Sequence, residues 1–99
     1  MFHTSWQPPA DVYHAGTQWL IKLELAGVSP KEVDVRAQGN ELVVRGHRRD
    51  LLQGGFIVQR MEILYTRFMR SFSLPAEIDA DSITCEYSDG ILRIWLKTL

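Results

Sequence analysis

Cys85 is the only thiol of the chain, and His3, His14 and His47 are its only imidazoles, so thiol–imidazole catalysis or soft-metal binding would have to start from these four side chains. Their spacing argues against both. Cys85 alternates with Ile83 and Tyr87, which is the pattern of a small residue buried in a strand rather than of a reactive thiol. The histidines are scattered, and no Cys-x-x-Cys or His-x-x-x-His pair brings two ligands together, so no metal site is expected. A Gly-x-x-x-x-Gly-Lys-Ser/Thr phosphate cradle and a Gly-x-Ser-x-Gly nucleophile elbow are also missing from the sequence. These residue types predict a protein that is not an enzyme and needs no cofactor.

Arg70 carries more information. Along Thr66, Phe68, Arg70, Phe72 and Leu74 a period of two places this cation on the face that bears two phenylalanines and a leucine. Two readings are open. Its stem packs at a sheet edge while its head reaches water, or its guanidinium is held by carboxylate or carbonyl groups at a subunit contact, because an unpaired buried cation costs several kcal/mol. Arg45-Gly46-His47-Arg48-Arg49 is a basic run at a strand end; with Asp50 adjacent and no interleaved aromatics it reads as a solvated edge, not a nucleic-acid surface.

The elements that must position these residues alternate with period two, and helical periodicity is nearly absent. Trp19, Ile21, Leu23 and Leu25 alternate with Leu20, Lys22 and Glu24, and Val33, Val35 and Ala37 with Asp34 and Arg36, so both stretches read as half-buried strands. Gly39-Asn40 turns the second of them into Leu42-Val43-Val44-Arg45-Gly46. Asp89-Gly90 suits a two-residue turn in which both central residues need positive φ, and it joins Ile83-Cys85-Tyr87 to Leu92-Ile94-Leu96. Asp11-Val12-Tyr13 is a short edge strand after an arm over residues 1–9 that holds Pro8 and Pro9. Residues 50–59 form a loop with its own apolar run, Phe56-Ile57-Val58, and residues 75–81 read as a polar crossover with one helical turn. The expected fold is all-β: one immunoglobulin-like antiparallel β-sandwich of seven to eight strands over residues 10–99.

Eleven basic against twelve acidic residues leave a net charge of −1, too little field to hold nucleic acid or an anionic membrane. The segment from Trp19 to Val28 is broken by Lys22 and Glu24, and Met1 to Trp6 has neither the basic start nor the apolar stretch of a signal peptide, so a soluble, cytoplasmic protein is expected. A single cysteine fits a reducing compartment.

The order and wording of these segments resemble the α-crystallin domain of small heat-shock proteins, in the form found in bacteria and plants. Phe68-Met69-Arg70-Ser71-Phe72-Ser73-Leu74-Pro75 is similar to the family's aromatic-x-Arg-x-aromatic-x-Leu-Pro strand. Cys85-Glu86-Tyr87-Ser88-Asp89-Gly90-Ile91-Leu92 is similar to its alanine-x-x-x-x-glycine-x-leucine hairpin, with cysteine for the usual alanine. Trp6-x-Pro8-x-x-Asp11-Val12-Tyr13, Leu23-Glu24-Leu25-Ala26-Gly27-Val28 and Leu42-Val43-Val44-Arg45-Gly46-His47-Arg48 match three further segments, with Ala26 where proline and His47 where glutamate is usual.

The resemblance implies an ATP-independent holdase that forms a homodimer and binds non-native client proteins; the alternative is a CS-domain-like co-chaperone or adaptor that binds folded partners. It also implies a dimer interface in which the Phe56-Ile57-Val58 loop pairs with the partner's Asp11-Val12-Tyr13 edge, braced by Arg70 with Glu62 as a possible counter-charge. A groove between the strands of Val33 and Val35 and of Ile83 and Cys85 would take C-terminal tail motifs of other small heat-shock proteins, or clients; any one of these four side chains could equally fill the core. The expected state is a dimer rather than a larger shell.

Overall fold

A computed structural model describes residues 6–99; His3 and the rest of residues 1–5 of the expected arm lie outside the described part. Seven strands follow the order β1 (Ala10–Ala15), β2 (Gln18–Glu24), β3 (Val33–Gln38), β4 (Glu41–His47), β5 (Arg67–Ser73), β6 (Ile78–Ser88) and β7 (Ile91–Thr98). They form a four-stranded sheet in the order β1-β2-β7-β6 and a three-stranded sheet in the order β3-β4-β5, with every strand pair antiparallel. The expected sandwich of seven to eight strands is therefore present, with seven.

The alternation read in the sequence is what divides these strands into two faces. In β2 and β7, Ile21, Leu23, Leu92, Ile94 and Leu96 are buried and meet Leu42, Val44 and Phe68 of the smaller sheet in one core. The two hairpin turns read in the sequence use the left-handed conformations their residues favour: Asp89 and Gly90 have φ of 53° and 76°, and Gly39 has 63°; a third, Gly16-Thr17 between β1 and β2, has Gly16 at 61°. Residues 74–77 do cross from the smaller sheet to the larger, as expected, but without a helical turn. β6 already begins at Ile78, and the one helical turn, a 3-10 turn, lies at Pro30–Glu32, where Pro30 pre-sets its first φ.

Residues 6–9 lie on the sandwich. Trp6 makes a parallel bridge to Phe68, Pro8 is almost completely buried, and the Pro9 carbonyl accepts a hydrogen bond from the Glu24 amide. Between β4 and β5 the ladder continues to Arg48 and Thr66, and residues 49–65 then leave the body without regular structure. That is longer than the roughly 12–15 residues at which an unstructured loop calls for a functional reason.

Candidate interaction surfaces

Among the described residues, loop 49–65 and strand β1 are two of the places where the chain leaves burial or bonding unfinished. Phe56, Ile57 and Val58 are 74%, 92% and 63% exposed, and Leu51, Leu52, Met61 and Ile63 are exposed beside them. Strand β1 pairs with β2 on one side only, so its outer edge, with Asp11, exposed Val12 and exposed Tyr13, presents free backbone groups. Within one protomer the structure does not pair the loop with β1. The protein exposes 7136 Å². A compact chain of its 11.4 kDa mass would expose about 5,800 Å².

Arg70 is half-buried, and its guanidinium donates a hydrogen bond to the Pro8 carbonyl and lies 5.1 Å from the Phe72 ring centroid. Its partner within the protomer is thus a carbonyl of its own chain. Glu62 stands apart from it and pairs with Arg60 at 3.5 Å, with both side chains well exposed. Residues 6–8 run alongside β5, Trp6 beside Phe68 and Pro8 beside Arg70, and so cover the outer edge of that strand.

The third surface lies where β3 and β6, the edges of opposite sheets, meet on one side of the sandwich. Val33, Val35 and Ile83 are half-buried against the core there, and the Tyr87 hydroxyl donates to the Leu25 carbonyl at 2.8 Å. Cys85 is exposed, which corrects the expectation of a buried residue. The alternation placed it on the inward face correctly: it ends the cross-strand row Val12, Ile21, Ile94, Cys85, whose two middle members are fully buried. The four-stranded sheet is one strand wider than the sheet it faces, so the ends of that row overhang. Partial desolvation raises the Cys85 thiol pKa above its ordinary value, which favours the protonated form.

Sequence reasoning missed a cluster at the root of the loop. Arg48, assigned to a solvated edge, is half-buried: it donates to the carbonyls of Leu64 at 2.9 Å and Ala26 at 3.2 Å and lies 3.8 Å from the Trp6 ring centroid. Trp6 meets Phe68 edge to face at 5.4 Å, and the Phe68 ring occupies the space above Gly46, its cross-strand neighbour. A glycine inside a strand was the available signal, since it marks a place where another group comes close.

Among the described residues no group of three His, Cys, Asp or Glu side chains is placed to hold a metal ion, and no helix is long and apolar enough to cross a membrane.

Residues 11–99 match the model of the Hsp20/alpha crystallin family. Relatives include the 19.0 kDa class II heat shock protein of Oryza sativa subsp. japonica, 37% identical over 87% of this chain, and small heat shock protein C2 of Rickettsia felis, 30% identical over 88%. The chain spans 54% and 57% of the length of these two relatives. Heat shock protein 16.0 of Schizosaccharomyces pombe superimposes with a TM-score of 0.84 at 26% identity, over 95% of this chain and 88% of that one. The chain belongs to the Hsp20/alpha crystallin family.

Proposed function

We propose that this chain, as a member of a family of small heat-shock chaperones, is the core of an ATP-independent holdase that works in the cytoplasm as a homodimer and binds partly unfolded proteins. Unfolding clients expose apolar surface and unpaired strand edges, and a reversible binder that covers them slows aggregation without chemistry. One observation carries the reading: an apolar loop and an unpaired strand edge stand open on the same chain.

The dimer forms by loop exchange. Phe56, Ile57 and Val58 of one protomer add to the β1 edge of the other at Asp11, Val12 and Tyr13. Arg70 braces this arrangement from within by holding Pro8, two residues before β1, and Glu62 becomes available as a counter-charge when the loop crosses. Pairing through the edge of β5 is disfavoured because residues 6–8 already cover that edge. The groove of Val33, Val35, Ile83 and Cys85 takes an extended apolar segment, either a tail motif of another small heat-shock protein or a client.

Replacing residues 51–58 with a short Gly-Ser link tests the exchange. Sedimentation should then give a folded monomer; a dimer of unchanged stability would refute the exchange while leaving holdase activity to be measured separately.

A further inference from the structure

Charge is divided unevenly along the chain. From Arg45 to Arg70 there are six arginines against Asp50 and Glu62, whereas from Ser71 to Leu92 there are five carboxylates and no lysine or arginine. Of these residues the fold gathers Arg45, Arg49 and Arg67 on one surface and Glu77, Asp79 and Asp81 on another.

The basic surface is the outer face of the three-stranded sheet. Arg45 sits opposite Met69 and His47 opposite Arg67, and these residues line a shallow hollow with Glu32, Asp34 and Arg49. Both carboxylates of the hollow are engaged: Asp34 accepts from Arg36 at 2.8 Å and Glu32 from Arg49 at 3.1 Å. Arg45 and Arg67 make no ion pair or side-chain hydrogen bond among the described residues, although as diagonal neighbours on paired strands their Cβ atoms are only about 7–8 Å apart. The Nδ1 atom of His47 is buried without a partner. Exposed Met69 lies between the two free arginines. Methionine and arginine are residue types enriched at protein interfaces.

The acidic surface is a bulge in β6. Asp79 pairs with Lys97 and Thr84 with Trp95, so β6 advances five residues while β7 advances two. The surplus residues are held firmly. The Ser82 hydroxyl donates to the Asp79 carbonyl at 2.6 Å and accepts from the Lys97 amide at 2.8 Å, and the Asp81 amide donates to the Asp79 carboxylate at 3.1 Å. The result is a rigid projection bearing Asp81, with Glu77 beside it, and none of Glu77, Asp79 and Asp81 has an ion-pair partner among the described residues. Bulges of this kind at sheet edges re-aim side chains and act as features of the fold.

Within one protomer the two surfaces lie apart: Arg45 and Arg67 are on the outer face of the smaller sheet at the His47 end of β4, whereas the β6 bulge starts beside the Gly39-Asn40 turn at the other end, where the Ile78 amide donates to the Gly39 carbonyl. We infer that the arginine face of the β3-β4-β5 sheet docks the acidic β6 bulge of a second copy of this chain. The complementary charge is carried by the chain itself, and the contact is heterologous, joining two different patches, so it extends assembly beyond a two-fold dimer. It is independent of loop exchange and uses neither β1 nor residues 50–65; Arg49, which lines the hollow, lies outside the 51–58 segment that the exchange needs.

Sedimentation velocity across salt concentrations, with charge-reversed variants, tests this. At about 50 mM salt the protein should form species larger than its base unit, and these should dissociate at about 0.5 M, where the screening length falls to a few ångströms. Arg45→Glu with Arg67→Glu, or Glu77→Lys with Asp81→Lys, should each weaken the association about tenfold or more, and mixing the two variants should restore it. All four side chains lie at the surface, and unchanged circular dichroism and melting would certify the fold of each variant. Absence of larger species at low salt, survival of association in either variant, or failure of the mixture to recover would overturn the inference. Repeating the salt series with residues 51–58 replaced separates the two contacts: loss of loop exchange lowers the base unit to a monomer and leaves the salt-labile step in place.

Discussion

Replacing Gly46 with alanine tests whether the cluster at the root of the loop is as tightly built as its geometry indicates. The added Cβ would press on the Phe68 ring, coming within 2.5 Å of Cε2 and within 2.9 Å of the Glu32 carbonyl oxygen. Carbon atoms rest about 3.5–4.0 Å apart, so the overlap with the ring is about 1 Å or more. Phe68 is almost fully buried and cannot withdraw freely, because Trp6 meets it edge to face and Arg48 lies over Trp6. The Glu32 oxygen belongs to the backbone and moves only with its turn. Overpacking of this kind costs about 1–3 kcal/mol. Forcing Trp6 off Phe68 would add about 0.5–1.5 kcal/mol. A total near 3 kcal/mol is expected, and for a domain of this size it should lower Tm by roughly 12–24 °C. Urea and thermal melts at fixed protein concentration measure it, because dimerisation contributes to apparent stability. In a Phe68→Leu background the space above Gly46 opens, and the further cost of the alanine should fall below about 1 kcal/mol, a coupling of about 2 kcal/mol. A loss below about 1 kcal/mol in the wild-type background, or strict additivity of the two changes, would refute the packing described for Gly46, Phe68 and Trp6.

Arg48→Ala removes two hydrogen bonds to carbonyls and the stack on Trp6 and should cost about 2–3 kcal/mol, while a lysine should recover only part, since it cannot stack a planar fork on the indole; equal melts for wild type and Arg48→Ala would contradict the clamp. A peptide carrying isoleucine-x-isoleucine should bind the proposed groove with Kd of roughly 10 μM to 1 mM and shift amide signals of β3 and β6; shifts elsewhere, or none at millimolar peptide, would remove the groove from the account. Alkylation of Cys85 should titrate with a midpoint above the ordinary thiol value, because its pKa is raised by desolvation, and bound peptide should slow it further; a midpoint at or below that value would place the thiol in a different environment.

The strands and two of the three tight hairpin turns were legible because a period of two and residues such as Asp89-Gly90 act locally, whatever the rest of the chain does, whereas the Gly16-Thr17 turn between β1 and β2 was not read. Cys85 marks where that information ends. Alternation says which face a side chain takes, but its burial depends on how far the opposite sheet reaches, and that width is a property of the whole fold. Arg48 is a second case. Its neighbours in sequence are Arg49 and Asp50, whereas its partners are Trp6, Ala26 and Leu64, and nothing in a basic run distinguishes a solvated guanidinium from one clamped across three segments. The β6 bulge was hidden for a similar reason: Glu77, Asp79 and Asp81 read as a polar connection until Ser82 is seen bonding to both Asp79 and Lys97. Loop residues Phe56, Ile57 and Val58 were legible as misplaced apolar residues, since a run of that kind between Gly55 and Gln59 has no sheet of its own to enter.

The most direct test of the proposed holdase is light scattering from a heat-denatured client in the presence of the intact protein at several-fold molar excess, with and without added ATP. Scattering should be suppressed to the same extent in both cases, with the client recovered in soluble complexes. Equal scattering with and without the protein, or suppression that requires the nucleotide, would contradict the account.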